Sequence, residues 1–275
     1  MSPPASAITS EARTADGVTL HLDRVPAAGS RRGTVVCLHA MMTDGRYFGA
    51  RRENAFAHAL AARGLEVIVA DFRGHGLSVP PRAGKDNWSF DDLVELDLPA
   101  IVAASGEDPR ELAILGHSLG GLAASAAIAT ARIPPPRVLV LAATSVWLGE
   151  TLARRALMAG YRTITRVAGK APIRALRAGT ADEAALYVEQ LTGWARARRW
   201  TSLRGVDYLA QLSAIDVPTH AYAGTGDWMC RPADADAIAR RIPSCAPLRL
   251  VDGATHFSLF KDRGFTTAVA DHTSR

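Results

Sequence analysis

The stretch Glu111-Leu112-Ala113-Ile114-Leu115-Gly116-His117-Ser118-Leu119-Gly120-Gly121, running on into the small residues from Leu122 to Ala131, decides the fold. Its first part reads as a buried strand and its last as a helix, with G-x-S-x-G at the junction. A strand that turns sharply into a helix at a serine lifts that hydroxyl onto the edge of a sheet. It also sets the serine beside helix-terminal N–H groups, where negative charge is favoured. Those are the needs of an acyl-transfer nucleophile: exposure to a substrate and a donor near the developing oxyanion. Glycine is required because a Cβ at those positions would meet the neighbouring strand or helix. Taken alone the pattern is equally a plain strand–turn–helix junction, so the flanking segments must decide.

On the N-terminal side, Ile8 to Ala15 and Val18 to Val25 alternate apolar and polar residues around Asp16-Gly17, a hairpin signal. Thr34 to His39 and Glu66 to Asp71 are short apolar runs of the kind that form buried strands, and Asn54 to Ala62 between them reads as a helix stopped by Gly64. Ser89-Phe90-Asp91-Asp92 resembles an N-cap ahead of a helix from Leu93 to Ala104. After the Ser118 helix comes the strand Arg137 to Ala142. Fully apolar strands alternating with helices indicate a parallel sheet covered on both faces, an α/β fold.

The alternation lapses from about Leu148 to Asp216 and resumes with a strand at Val217 to Ala223, a helix at Ala233 to Arg241 and a strand at Leu248 to Val251. The interrupting stretch shows no convincing strand. Thr151 to Ala168 reads as a helix with an apolar stripe of Leu157, Tyr161, Ile164 and Ala168, and with Arg155, Arg162 and Arg166 together on another face. Thr180-Ala181-Asp182-Glu183 is a capping-box pattern opening a helix from Ala184 to Ala197. The reading is therefore a core of residues 1–147 and 217–275 carrying a helical insert at 148–216, a candidate lid.

At 275 residues and 48% hydrophobic content the chain is ordinary for one globular domain with a large core. It has no apolar run of the ~18 residues that span a bilayer. Met1-Ser-Pro-Pro-Ala-Ser lacks the basic and apolar regions of a signal peptide, so the expected location is cytoplasmic. Cys37, Cys230 and Cys245 are too few and too scattered for a disulfide framework or a zinc cluster. No nucleotide or metal fingerprint appears, so no cofactor, metal or nucleic-acid partner is expected. The net charge of +5 has a definite place: Glu150 to Asp216 holds 11 basic against 6 acidic residues, and the rest of the chain holds 21 of each.

A serine hydroxyl needs a base, usually histidine, oriented by a carboxylate. The best carboxylate is Asp227, in the loop Gly224-Thr225-Gly226-Asp227 after the strand ending at Ala223. Asp216 should lie at the opposite end of that strand, and Asp234 and Asp236 read as solvated helix residues. The best base is His256, in Asp252-Gly253-Ala254-Thr255-His256-Phe257 after the last strand. A solvated turn and a surface histidine are the bland readings of these two. Order weighs against them: Ser118, Asp227 and His256 each follow a predicted parallel strand and should converge on one edge of the sheet.

With that order, the chain from about Gly33 to His256 resembles the α/β-hydrolase fold superfamily. Asp71-Phe72-Arg73-Gly74-His75-Gly76-Leu77-Ser78 is similar to its D-x-R-G-x-G-x-S turn, and Leu38-His39-Ala40-Met41 to its H-G-x segment after the third strand. The closest likeness within it is to lid-bearing serine hydrolases of the monoacylglycerol-lipase and serine-aminopeptidase type. The resemblance implies Ser118 as nucleophile, His256 as general base and then acid, Asp227 as orienting carboxylate, and the Leu119 and Met41 N–H groups as oxyanion donors. Ala40 stands where glycine is usual, which would strain the loop if that position needed a positive φ. Serine at 118 speaks against the carboxylate nucleophiles of related epoxide hydrolases and dehalogenases.

The expected substrate is a hydrophobic small-molecule ester, with thioester, amide and lactone as alternatives, and with Met42, His117 and Trp147 on the substrate side. The Arg155, Arg162 and Arg166 face could take an anionic ligand, carrier or lipid surface, against the blander reading of a solvated basic face. Two other functions compete: a cofactor-free acyltransferase on the same triad, and a non-catalytic ligand receptor that keeps the serine for binding.

Overall fold

In a computed structural model, which describes residues 7–52, 55–78 and 87–274, the predicted alternation becomes an eight-stranded sheet. The hairpin β1 (Ile8–Arg13) and β2 (Thr19–Val25) is antiparallel, and β2 pairs antiparallel with β4 (Leu65–Ala70). From β4 onward all pairing is parallel, through β3 (Gly33–Leu38), β5 (Leu112–His117) and β6 (Val138–Ala142). Two-residue strands β7 (Lys170–Ala171) and β8 (Glu183–Ala184) form a separate antiparallel pair, and β9 (Thr219–Gly224) and β10 (Arg249–Val251) complete the main sheet. The strand order is β1-β2-β4-β3-β5-β6-β9-β10. This is the α/β-hydrolase architecture, mostly parallel and flanked by helices.

The reason the central strands are apolar throughout is visible in β3. Val36 and Leu38 belong to one core cluster and Val35 and Cys37 to the other, on opposite faces of the sheet. Each such buried aliphatic side chain contributes about 1.5–3 kcal/mol relative to exposure. The covering helices are α1 (Phe56–Ala61), α2 (Phe90–Asp92), α3 (Leu98–Ser105) and α4 (Leu119–Ala129). Asn54, the expected start of the first, lies outside the described residues, as do Met1 to Ser6. α2 and α3 join through a π-type stretch at Leu93–Asp97, and Ser89 with Asp92 forms the expected capping box.

Residues 148–216 leave the sheet after β6 and return at β9. They carry α5 (Leu152–Ala168), α6 (Ala185–Ala197) and the short α7 (Tyr208–Gln211). α8 (Pro232–Ala239) and α9 (Arg263–Thr273) follow; α9 had no clear signal in the sequence. Readings of the insert and of its contact with α8 are corrected. It does contain strands, β7 and β8. The buried face of α5 is Arg154, Met158 and Thr165, whereas Leu157 and Ile164 are about half exposed (50% and 46%). Asp234 on α8, expected to be solvated, pairs with Arg154 at 2.6 Å and fixes α5 to the core. A guanidinium whose partner sits on the core can be buried, and that one pair rotates the helix.

The capping-box reading of Thr180 to Glu183 also fails. The N-cap of α6 is Ala184, with no side-chain bond. Thr180 Oγ1 instead donates to Asp44 Oδ2 at 2.8 Å, and Glu183 is fully buried in β8.

Candidate active site

Ser118 stands between β5 and α4 with φ 51° and ψ −111°, a conformation that costs a non-glycine residue about 1–3 kcal/mol. Close backbone packing holds it there. A Cβ on Gly116 would overlap the Gly121 backbone, one on Gly120 would overlap the Leu38 carbonyl, and one on Gly121 would overlap Thr144 Oγ1. The Ser118 N–H donates to Ala142 O at 2.9 Å and Gly120 N–H to His39 O at 3.1 Å, so the elbow is bonded to the ends of both flanking strands. The strain has a structural cause in these contacts, as a nucleophile elbow requires.

Asp227 and His256 meet as their positions after β9 and β10 imply. His256 Nδ1 lies 2.8 Å from Asp227 Oδ2, and Asp227 Oδ1 accepts from the Met229 and Cys230 N–H groups at 2.8 and 2.9 Å. Both side chains are almost wholly buried. The two loops are bonded together: Gly226 N–H donates to Ala254 O at 2.9 Å and Gly253 N–H to Thr225 Oγ1 at 2.8 Å. Gly224 has no room for a Cβ beside the Ala254 carbonyl. The pair is brought to the elbow through His117, whose Nε2 lies 3.0 Å from His256 O and whose ring centroid is 4.8 Å from that of His256.

His117, expected on the substrate side, is thus placed behind the histidine loop and fully buried. Burial and the neighbouring His256 hold its pKa well below the ordinary histidine value, so it stays neutral, with the Nε2 proton donated to the His256 carbonyl. Tyr47 stacks on it and its hydroxyl donates to the Phe257 carbonyl, a second brace that sequence reading missed. No local motif marks Tyr47. Trp147, also expected near substrate, is partly buried; its Nε1 donates to Met229 O at 2.7 Å, and the Arg154 guanidinium lies 4.5 Å from its ring.

The loop after β3 runs along the elbow. His39 bridges Ala40 O (Nδ1, 2.8 Å) and the Phe72 N–H (Nε2, 3.1 Å); burial and the nearby His75 push its pKa down to about 3. Neutral imidazole fits one donor and one acceptor. Ala40 does not take a positive φ; the left-handed residue is Met42, at φ 61°. The strain expected at 40 is displaced two residues along the chain. The Met41 N–H makes no hydrogen bond among the described residues.

Met42, expected to line the substrate side, is gripped through its backbone by the insert. Its N–H donates to Glu183 Oε1, and its carbonyl accepts from Thr180 N–H at 2.8 Å and Ala181 N–H at 3.3 Å. Glu183 also faces His75 Nε2 at 3.3 Å, and His75 Nδ1 lies 2.9 Å from Arg73 O. A carboxylate at one nitrogen and a carbonyl at the other favour the doubly protonated ring. Burial, the largest single effect, pushes its pKa down, but the Glu183 carboxylate, the Arg73 carbonyl and Asp71 together hold it above the ordinary value. The rest of the turn is anchored by Asp71, which accepts from Gly45 N–H (2.6 Å) and Leu77 N–H (2.8 Å), and by Arg73 against Asp97 (2.7 Å).

Of the expected basic face, Arg162 and Arg166 both pair with Glu189 of α6, and Arg155 Nε donates to Gly149 O. A cavity of about 210 Å³ between α5 and α6 is lined by Arg155, Arg162, Arg196, Met158 and neighbouring small residues; it does not include Ser118 or His256. Among the described residues no helix is long and apolar enough to cross a membrane.

Comparison with known proteins agrees with this architecture. The chain is 30% identical over 125 residues to triacylglycerol lipase 2 of Arabidopsis thaliana, an alignment covering 40% of this chain and 30% of that relative. Among solved structures it is similar to an esterase from Exiguobacterium antarcticum, with TM-score 0.67, 18% identity and coverage of 97% of this chain and 99% of that one. It is also similar to a hydrolase from Pseudomonas aeruginosa PA01, with TM-score 0.66, 24% identity and coverage of 96% and 97%. At these identities the solved structures speak for the fold. The hydrolase family model described as serine aminopeptidase, S33, matches residues 29–263, so the chain belongs to that family, on the α/β-hydrolase fold.

Proposed function

We propose that the protein cleaves a carboxylic ester of a small hydrophobic molecule through an acyl-enzyme on Ser118. The observation that carries this reading is the His256–Asp227 pair, 2.8 Å apart, braced against the glycine-packed elbow of Ser118. His256 Nε2 takes the Ser118 proton as Oγ attacks the ester carbonyl, while Asp227 holds the Nδ1 proton and stabilises the imidazolium. The oxyanion is received by the Leu119 N–H at the start of α4 and the free Met41 N–H. Collapse expels the alcohol, protonated by His256. Water, deprotonated by the same imidazole, then attacks the acyl-serine, and Ser118 recovers its proton.

Residues 148–216 act in this reading as a lid over the acyl site. An anionic group on the substrate or its carrier would be received at the α5–α6 cavity by Arg155, Arg162 and Arg196, and a KM that stays flat between low and high salt would remove that part of the reading.

A fluorophosphonate probe tests the assignment. It should label the wild type and fail on Ser118→Ala; equal labelling of both would overturn the nucleophile. A panel of p-nitrophenyl esters from acetate to palmitate, with the same control, reads the acyl preference. Product analysis with an added alcohol separates hydrolysis from acyl transfer.

A further inference from the structure

Glu183 is an expensive residue to bury. Its side chain is fully enclosed, Oε1 takes both of its bonds, and Oε2 has no hydrogen-bond partner. A carboxylate kept only to fill space would be replaced without loss by an apolar residue of similar size. What it supplies is an acceptor shared by two N–H groups, that of His75 Nε2 and that of Met42, the latter next in sequence to the free N–H of Met41. Around it, residues 179–183 close on the same peptide. Thr180 and Ala181 donate to the Met42 carbonyl, Thr180 Oγ1 holds Asp44, and Gly179 packs so tightly that a Cβ would overlap the Met42 carbonyl oxygen. Met42 sits at φ 61°, where a side chain with a Cβ stays only if its surroundings hold it.

We infer that Glu183 is a positioning residue of the insert: by accepting the Met42 N–H it holds the 40–43 loop in the bend that presents the Met41 N–H to the oxyanion. This rests on the serine-hydrolase reading above. The insert then completes the catalytic site as well as covering it, because the second oxyanion donor is in place only while 179–184 is seated on Met42.

The test is steady-state and burst kinetics of the full chain with p-nitrophenyl butyrate, with kcat expressed per functional site counted by the burst. Glu183→Ala should lower kcat by about 10²-fold, the scale of a misplaced catalytic group, with KM within roughly threefold. Fluorophosphonate should still label Ser118 in that variant, only more slowly. Glu183→Gln keeps an oxygen that can accept the Met42 N–H and should recover most of the loss. Gly179→Ala displaces Met42 while leaving Glu183 in place, so it should reproduce the Glu183→Ala defect and decides the matter if Glu183→Ala does not fold. Wild-type kcat per site in Glu183→Ala or Gly179→Ala, whatever their melting temperatures, would overturn the positioning role. So would a Glu183→Gln as slow as Glu183→Ala. A burst that survives in Ser118→Ala would instead remove the nucleophile assignment. A silent Ser118→Ala beside a fully active Glu183→Ala would remove only the inference.

Discussion

His117 Nε2 lies 3.0 Å from the carbonyl oxygen of His256, so the residue preceding Ser118, the proposed nucleophile, carries the backbone of the proposed base. In the proposed triad, the two members that exchange a proton are thereby coupled through one buried, neutral ring. Replacing His117 with phenylalanine keeps the stacking on Tyr47 and removes one hydrogen bond. A bond of this kind is worth about 0.5–1.5 kcal/mol, so kcat should fall between roughly 2- and 10-fold with KM unchanged. Stopped-flow acylation of the variant checks it.

Asp227→Asn should lower kcat by about 10³–10⁴-fold while moving the melting temperature little. The Met229 and Cys230 N–H groups fix Oδ1, so the asparagine carbonyl oxygen takes that place and its NH₂ faces His256. His256 Nδ1 must then accept, its proton moves to Nε2, and the ring can no longer take the serine proton. Kinetics beside a thermal melt of the same preparation measure both effects.

The elbow glycines differ in how they can be rescued. Gly121→Ala meets a side chain, Thr144, and overpacking of this kind costs about 1–3 kcal/mol. Adding Thr144→Gly should restore part of the melting temperature. Gly120→Ala meets the backbone at Leu38, where no single replacement makes room. Melting curves of the two single variants and the double variant read the difference.

The His75–Glu183 pair sets a pH dependence. His75 is held above its ordinary value because the Glu183 carboxylate, the Arg73 carbonyl and Asp71 together outweigh the lowering by burial. The stabilisation is fully present below the unfolded histidine value of about 6.5 and is lost as pH rises through the higher folded value. The melting-temperature gap between wild type and His75→Gln should therefore shrink toward alkaline pH. A gap that widened would mean that the pair is not ionised as its two acceptors favour.

The core strands and the elbow were legible in the sequence because they obey local rules. A strand buried on both faces is apolar throughout, and a Cβ-free junction must be glycine. Asp227 and His256 were singled out because each lies shortly after a strand, where chain order fixes the edge of the sheet, and the structure pairs them at 2.8 Å. The insert was read less well. Arg154 is buried on account of Asp234, about eighty residues away, and that pair turned α5 against its own apolar pattern. Glu183 looked like the closing residue of a capping box, and only the approach of Met42 and His75 gave it other work. Tyr47 and His117 act through backbone carbonyls of a distant loop, a contact with no signature in any single segment.

Bare α-carbons at 116 and 120 leave the serine's coordinates to be written by main chain, and the one at 121 leaves them to the Thr144 side chain. Side chains elsewhere in the interior can be exchanged over generations without shifting that oxygen. The chemistry proposed for Ser118 is thereby insulated from drift in the packing around it, and the insert is open to change wherever the contacts of 179–184 with Met42 are spared.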